Sequence, residues 1–249
     1  PGVRQERARV LTQEDLLDLF WLKSEQPRTY DWQVLAFGDL VDRAGAGWVE
    51  QAQWQGRKVE RPHLGNLRVR DAGNQPWSVD MLLPDLAEPR GVGVRLTMLD
   101  EADTLVLGST PPGVAEGQGV SVLVTRQKPE TLFAALHEPF AGGNGKQRIR
   151  EFARIQQTAE LLAVRIGGQG TNDRVLVALA DGAGKPQTAT ETGSGESFTF
   201  TDYGLVRITE QGVEASGNIT ALRVRYQGPA RLTINGAPAQ AQVQGGFLQ

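Results

Sequence analysis

Apolar and polar residues alternate along most of this chain in short runs. Val94, Leu96 and Met98 are separated by single residues of other character, and the same two-residue period recurs over 120–125 and 232–235. Side chains of a β-strand point alternately to the two faces of a sheet, so this period predicts strands with one buried face. The helical period is weak throughout the chain, and the pattern therefore indicates a protein built from strands.

Glycine, proline and asparagine separate the predicted strands. These residues favour tight turns because of their backbone freedom, their fixed φ or their local hydrogen bonds. Strands at this spacing are typical of a sandwich rather than of alternating strands and helices. We therefore predict an all-β fold, an antiparallel two-sheet β-sandwich of the large, supersandwich-like kind. The turn signals are Pro111-Pro112-Gly113, Gly142-Gly143-Asn144-Gly145, Gly167-Gly168, Asp181-Gly182 and Asn235-Gly236.

The stretch from Arg7 to Leu40 is the most informative part of the sequence. It predicts a strand, a turn, a second strand, a break at Pro27 and a third strand that carries Tyr30-Asp31-Trp32. Alternation along that third strand sends Tyr30 and Trp32 to one face and Asp31 to the other.

The part of this stretch from Thr12 to Leu22 also fits a short helix, because Thr12 and Glu14 resemble an N-cap. We favour a strand there. Its apolar residues occupy alternate positions on one side, at Leu17, Leu19 and Trp21.

A soft boundary divides the predicted strands into two sheet groups, 1–158 and 159–249. The second group contains a polar stretch, 182–196, that is rich in Gly, Thr and Ser. Loops of this length are uncommon in compact domains and are often mobile or functional. The two groups fit either separate sheets or one continuous sandwich.

Composition narrows the classes of function. The 249 residues include 26 basic and 29 acidic ones, for a net charge of −3, and no cysteine. The absence of a basic excess argues against nucleic-acid binding, and the absence of cysteine excludes disulfides and thiolate chemistry. No apolar run is long enough to span a membrane. The chain begins at Pro1, so we expect either processing or a piece of a longer polypeptide.

Metal and cofactor sites are not predicted. The sequence has only two histidines, His63 and His137, and they are far apart along the chain. A zinc site built on paired His and Asp ligands cannot be assembled from them. No motif in the chain indicates an organic cofactor.

Four runs of the chain carry recognisable motifs. RARVLTQEDLLDLFWLKSEQPRTYDW, from Arg7 to Trp32, follows the pattern R-x-V-L … D-x-F-x-V … H-T-Y-D-W. Val120–Arg126 and Thr131–Phe140 follow V-R … F-x-x-V-x-E-P-Y, and Arg231–Gly236 follows L-x-x-N-G. In order and spacing these runs resemble the C-terminal β-sheet region of heparinase II/III-like polysaccharide lyases, a group that includes alginate and oligoalginate lyases. The likeness is good over residues 5–155 and looser over 200–240.

This resemblance implies a function. In that group a helical α/α toroid precedes the sheets, and the active site lies between the two parts. The enzymes cleave uronic-acid polysaccharides by β-elimination: the carboxylate is neutralised, a base removes the C5 proton, and the leaving oxygen is protonated. The resemblance thus implies a bacterial protein that is secreted or periplasmic. Its partners would be an acidic polysaccharide and an N-terminal toroid domain or chain, and the present chain alone would be inactive.

Five residues are the candidates for contact with such a substrate. The resemblance makes Tyr30 and His137 candidate catalytic residues, and Arg28, Trp32 and Arg126 candidate substrate-binding residues. Arg28 precedes Tyr30 by two positions and so shares its face, where its charge would favour the phenolate. A guanidinium such as that of Arg126 matches a carboxylate with two parallel hydrogen bonds.

Each candidate also has a purely structural interpretation. Tyr30 and Trp32 fit an aromatic pair with Arg28 stacked on it, and His137 fits a strand-end residue that packs on its neighbours. The chain departs from the pattern of the lyases, because Arg28 and Leu35 stand where many of them have histidine. These changes favour a second hypothesis, a carbohydrate-binding or structural β-sandwich without lyase chemistry. An adhesion or assembly module unrelated to sugar is a third.

Overall fold

The computed structural model describes residues 2–12, 15–36, 38–42, 49–50, 65–71, 76–83, 91–99, 105–110, 120–141, 148–168, 173–181 and 184–249. Within these ranges the regular elements are all β-strands, which confirms the all-β prediction. The described residues contain no helix that is long and apolar enough to cross a membrane. The chain divides into two compact units, Pro1–Gln147 and Arg148–Gln249.

The first unit holds one nine-stranded sheet in which every described pairing is antiparallel. The two longest strands run side by side in it and carry most of the pairing. The strands are β1 (Val3–Leu11), β2 (Leu16–Ala36), β3 (Asp39–Asp42), β4 (Val49–Glu50), β5 (Gly65–Asp71), β6 (Trp77–Leu83), β7 (Val92–Leu99), β8 (Leu105–Thr110) and β9 (Val120–Ala141).

Two predictions concern the first long strand, β2: one is confirmed and the other is wrong. The strand predicted over the Thr12–Leu22 stretch is present, because β2 begins at Leu16. Burial does not alternate at its start, since Leu17, Asp18 and Leu19 are all buried. The predicted break at Pro27 is instead an irregularity inside one strand. Pairing with β9 is interrupted between Lys23 and Arg28 and then resumes in a shifted register. The proline is tolerated because the ladder needs no N–H where the pairing is interrupted.

The paired ribbon of β2 and β9 folds back on itself at this irregularity. Asp18 and Trp32 lie 14 positions apart, which along a straight strand corresponds to about 46 Å. Their side chains are nevertheless hydrogen-bonded, with the Trp32 indole nitrogen 3.2 Å from an Asp18 carboxylate oxygen. One sheet therefore supplies both layers of a sandwich, with the strand ends on either side of the bend facing each other.

The core of the first unit lies between these two layers. β1, β3, β6 and β7 extend one layer, and β4, β5 and β8 extend the other, because β9 pairs with β7 through its second half and with β8 through its first. Burying large apolar side chains from both layers is the main stabilising term for such a sandwich. Its buried residues are Leu22, Tyr30, Trp32, Trp77, Val79, Met81, Leu96, Met98, Val120, Val122, Val124, Phe133 and Ala135.

The second unit holds a ten-stranded sheet with its own hydrophobic core. Its described pairings are antiparallel, as predicted, except that between β15 and β16, which is parallel. The strands are β10 (Glu151–Gln157), β11 (Leu161–Gly167), β12 (Arg174–Ala180), β13 (Gln187–Thr190), β14 (Ser197–Thr209), β15 (Gly212–Arg225), β16 (Leu232–Ile234), β17 (Ala237–Ala239), β18 (Val243–Gln244) and β19 (Phe247–Leu248).

Bulges keep the apolar face of the long strands β14 and β15 directed at this core. The register shifts between Thr199 and Phe200, where β15 carries one extra residue. That residue reverses the alternation, so Val213 and Val224 both point into the core although their numbers differ in parity.

The boundary between the units lies before β10, because β10 pairs with β11 in the second sheet. The division predicted from the sequence, between 158 and 159, follows β10. The predicted Asn235-Gly236 turn is present between β16 and β17. Both of its residues have positive φ, 50° for Asn235 and 80° for Gly236, as a two-residue hairpin turn requires.

Candidate functional site

A buried carboxylate, Asp18, organises the most developed polar cluster of the first unit. We call Arg7, Arg9, Asp18, Trp32 and His137 the Asp18 cluster. Asp18 lies on β2 opposite Arg9 on β1 and opposite Ala135 on β9, and only 4% of it is exposed. The Trp32 indole, from the other layer, donates to the same carboxylate at 3.2 Å. Three segments distant in sequence therefore meet at one carboxylate.

Hydrogen bonds and an ion pair within the Asp18 cluster satisfy the carboxylate oxygens of Asp18. Arg7 donates from Nε to Asp18 Oδ1 at 2.8 Å and from Nη2 to Oδ2, while Arg9 Nε lies 3.9 Å from Oδ1. The guanidinium of Arg7 also lies over the Phe20 ring, 5.0 Å from its centre. Burial by itself would raise the pKa of Asp18, but the hydrogen bonds from Arg7 and Trp32 and the two positive charges outweigh it and lower the pKa.

His137 lies at the rim of the Asp18 cluster. It is half-buried on β9, opposite Leu16 and Leu96, and its ring centre is 6.0 Å from that of Trp32 with the planes tilted by 45°. Burial lowers the pKa of His137. The charge of Asp18 opposes this effect and that of Arg9 adds to it. A lowered pKa favours the neutral imidazole, the form that can accept a proton.

His137 and Glu138, neighbours in the sequence, do not form a pair. Strand alternation places them on opposite faces of β9. Glu138 lies opposite Arg95 on β7, and Arg95 lies opposite Asp80 on β6, so the three charges form a row across the sheet. His137 is left with the Asp18 cluster on the other face.

The Asp80–Arg95–Glu138 row is a second buried polar group, which the sequence analysis did not single out. Arg95 donates from Nε to Asp80 Oδ1 at 2.8 Å and from Nη2 to Oδ2 at 3.2 Å. The hydrogen bond to Asp80 raises the pKa of Arg95, although burial opposes it. The signal in the sequence is a charged residue inside each of two apolar strands, VDMLL and VGVRLTML.

Tyr30 points into the core of the first unit. Only 7% of it is exposed, and its hydroxyl donates to Ser24 Oγ at 2.7 Å. The Ser24 hydroxyl lies 2.6 Å from the carbonyl oxygen of Gln26 and 3.2 Å from that of Pro129. Tyr30 is thereby tied to the bend of the β2 and β9 ribbon, where Ser24 links the two strands.

The two candidate arginines differ in exposure. Arg28 is exposed and lies opposite Lys128, whereas Arg126 is fully buried opposite Tyr30. The Arg126 guanidinium lies over the Phe133 ring, 4.7 Å from its centre, and donates to the Thr131 hydroxyl. It also donates to the carbonyl oxygens of Leu99 and Leu132. A guanidinium bound in this way crosslinks β7 and β9.

The five candidates therefore form two pairs and one separate residue. The structure brings Trp32 and His137 into contact and pairs Tyr30 with Arg126 across the strands, while Arg28 lies apart on the exposed segment. Trp32, Tyr30 and Arg126 are buried, and only Arg28 and His137 present side-chain surface. His63 lies outside the described residues. In the part of the chain that the structure describes, no three His, Asp or Glu side chains converge as metal ligands.

No protein-family model matches the chain, and no curated protein matches it. The likeness to heparinase II/III-like lyases therefore rests on the sequence motifs alone.

Proposed function

We propose that this chain is the β-sandwich portion of a heparinase II/III-like lyase that acts on an acidic polysaccharide by β-elimination. In this proposal the sandwich forms one wall of the substrate cleft and an N-terminal α/α toroid supplies the other. The chain by itself does not cleave. A bacterial secreted or periplasmic location accompanies the proposal, because the substrate is an extracellular polymer.

The convergence of the motif residues supports the proposal. Asp18 belongs to the D-x-F run, Trp32 ends the T-Y-D-W run, and His137 lies in the run that closes with Glu-Pro-Phe. Their mutual contacts, the 3.2 Å hydrogen bond and the 6.0 Å ring separation, place the three runs around one point of the fold. Motifs that were chosen for their likeness to one family are thus parts of one structural unit.

The five candidates differ in exposure, and we assign their roles accordingly. His137 and Arg28 present surface to a cleft, with His137 as the proton-transfer residue and Arg28 as the cation that offsets the uronate carboxylate. Tyr30, Trp32 and Arg126 would reach a sugar only if the partner opened the wall. In the closed wall they bind Ser24, Asp18 and backbone carbonyls respectively.

The test is the ultraviolet absorbance of the unsaturated sugar that β-elimination leaves. The chain is mixed with alginate, heparin, hyaluronan and polygalacturonate, alone and together with the helical toroid of an oligoalginate lyase. We expect product only in the presence of the toroid. With the toroid, His137→Gln should lower the rate by about a hundredfold if His137 transfers the proton, and Tyr30→Phe should leave it nearly unchanged.

A second candidate function is that of a carbohydrate-binding or structural module without lyase chemistry. The internal hydrogen bonds of Tyr30, Trp32 and Arg126 favour it, since these side chains are occupied in holding the fold. Binding of the polysaccharides without product, both with and without the toroid, would select this function. No binding to any of them would select an adhesion or assembly role.

A further inference from the structure

An aromatic side chain flanked by two arginines lies at the edge of the second unit, remote in sequence from the Asp18 cluster. We call Arg223, Arg225 and Phe247 the Phe247 site. Phe247 belongs to the β18–β19 hairpin, which pairs with the end of β15 so that Phe247 lies directly opposite Arg225. Arg223 precedes Arg225 by two positions and therefore shares its face of the strand.

The two guanidiniums of the Phe247 site approach the same ring. The guanidinium carbon of Arg223 lies 4.0 Å from the ring centre, and that of Arg225 lies 5.7 Å from it. Arg225 is held in place because its Nε donates to the carbonyl oxygen of Ser194 at 2.9 Å. Both arginines are exposed. The ring attracts both cations, and this attraction positions two like charges side by side.

The positive charge of the Phe247 site is not balanced by its neighbours. The nearby carboxylate of Glu196 is buried and is occupied by the side chain of Arg174 and by the backbone N–H of Arg225, 2.8 Å from Oε1. Within the described part of the chain, the Arg223 side chain forms no hydrogen bond and no ion pair, and it contacts the Phe247 ring. Two exposed guanidiniums with free donors favour a bound anion.

We propose that the Phe247 site binds the carboxylate of a uronic-acid unit and so gives the second unit its own contact with the polysaccharide. The choice of a uronate rests on the proposed function above. A planar carboxylate accepts two parallel hydrogen bonds from a guanidinium, and the N–H donors of the Arg223 guanidinium are available for them. A repeating uronate polymer also offers many such carboxylates, so a surface site of modest affinity would hold the chain on its substrate.

The test compares the affinity of the full chain for polygalacturonate with that of matched variants, measured by calorimetry. Arg223→Gln should weaken binding about tenfold, since one charge-assisted contact is lost. Arg231→Gln is the control because it removes the same charge from another exposed position of the second unit. Arg223 donates no hydrogen bond to the described fold, so its substitution should leave the unfolding temperature unchanged.

Two further ligands test whether the site recognises the anionic group or the sugar chain. Carboxyl-reduced polygalacturonate keeps the sugar chain but lacks the charge, and it should bind neither the wild-type chain nor the variants at this site. Dextran sulfate supplies a different anion. If Arg223→Gln weakens binding of dextran sulfate but not of polygalacturonate, the assignment to a uronate is wrong.

Equal affinities of Arg223→Gln and Arg231→Gln for polygalacturonate would overturn the Phe247 site, even if the chain and the toroid together cleave the polymer. A selective loss in Arg223→Gln would support the site even if no cleavage occurs with the toroid. The binding site is therefore tested by the affinity measurements, and the lyase function is tested by the cleavage assay.

Discussion

At the scale of single residues, one carboxylate links three parts of the first unit. Asp18 accepts hydrogen bonds from Arg7 on the edge strand and from Trp32 in the opposite layer, while Arg9 lies opposite it. The periodicity of the sequence places Asp18 on one face of its strand and Trp32 on one face of the strand that follows Pro27. It does not show the bend, so the sequence alone could not reveal that the two side chains meet.

Replacing this carboxylate gives the first prediction. We expect Asp18→Asn to lower the free energy of unfolding by about 2 kcal/mol at neutral pH, because Arg7 and Trp32 lose a charged acceptor at a buried position. The folded-state pKa of Asp18 is lowered, so its stabilising contribution is complete above the ordinary carboxyl pKa of about 4. That contribution is lost as the pH falls through the lowered value.

Urea denaturation of the wild type and of Asp18→Asn, at neutral and at acidic pH, measures this loss of unfolding free energy. The difference between wild type and Asp18→Asn should shrink as the pH falls, and a difference that stays constant would contradict the assigned charge interaction. Glu6→Gln is the control, because Glu6 pairs with Arg4 at 3.2 Å on the surface and should contribute less than about 0.5 kcal/mol.

The candidate residues illustrate what could be predicted at this scale. Alternation correctly placed Tyr30 and Trp32 on one face, and both are buried there. Arg126 was chosen for its charge, yet its guanidinium binds backbone carbonyls of Leu99 and Leu132. A sequence shows which face a side chain occupies, but which acceptors lie on that face depends on the neighbouring strands.

At the scale of elements, irregularities in the long strands decide the shape. The interruption between Lys23 and Arg28 lets the β2 and β9 ribbon fold over, and the bulges in β14 and β15 redirect side chains toward the second core. The sequence indicated a break between two strands at Pro27. The outcome was a bend within one strand because pairing with β9 continues on both sides of it.

The bulge near Gly217 gives the second prediction. Gly217 has a φ of 99°, and a Cβ there would lie 2.4 Å from the Tyr203 carbonyl oxygen. Gly217→Ala should therefore cost about 3 kcal/mol, since the backbone must move as well as bear a strained conformation. Gly236→Ala is the matched control. It has a φ of 80° with open space around the new methyl, and it should cost about 1 kcal/mol.

Chemical denaturation followed by far-ultraviolet circular dichroism measures both variants. Equal losses of stability would show that the close approach of Gly217 to Tyr203 has no energetic weight and that φ alone matters.

At the scale of the whole molecule, the chain is two compact units with separate hydrophobic cores. A core contained within about a hundred residues is large enough to fold by itself. The apolar side chains of the second core come from β11 to β19. No strand of the first sheet pairs with a strand of the second in the described residues.

The third prediction is that residues 148–249 fold without the rest of the chain. The isolated segment should show a strand-type circular dichroism spectrum and a single cooperative thermal transition. All five tryptophans precede residue 148, so in the full chain their fluorescence reports only on the first unit. A segment that is soluble but shows no cooperative transition would contradict the independence of the second core.

The sequence by itself determined the class of fold and the approximate position of the strands, because alternation and turn residues act locally and are read within a few positions. It also indicated the Asn235-Gly236 turn, since few residues accept a positive φ. Only the tertiary structure decided that one sheet folds into two layers and that Asp18, Trp32 and His137 meet. These features depend on pairing between segments about a hundred residues apart, and nothing local in the sequence encodes the partner of a strand.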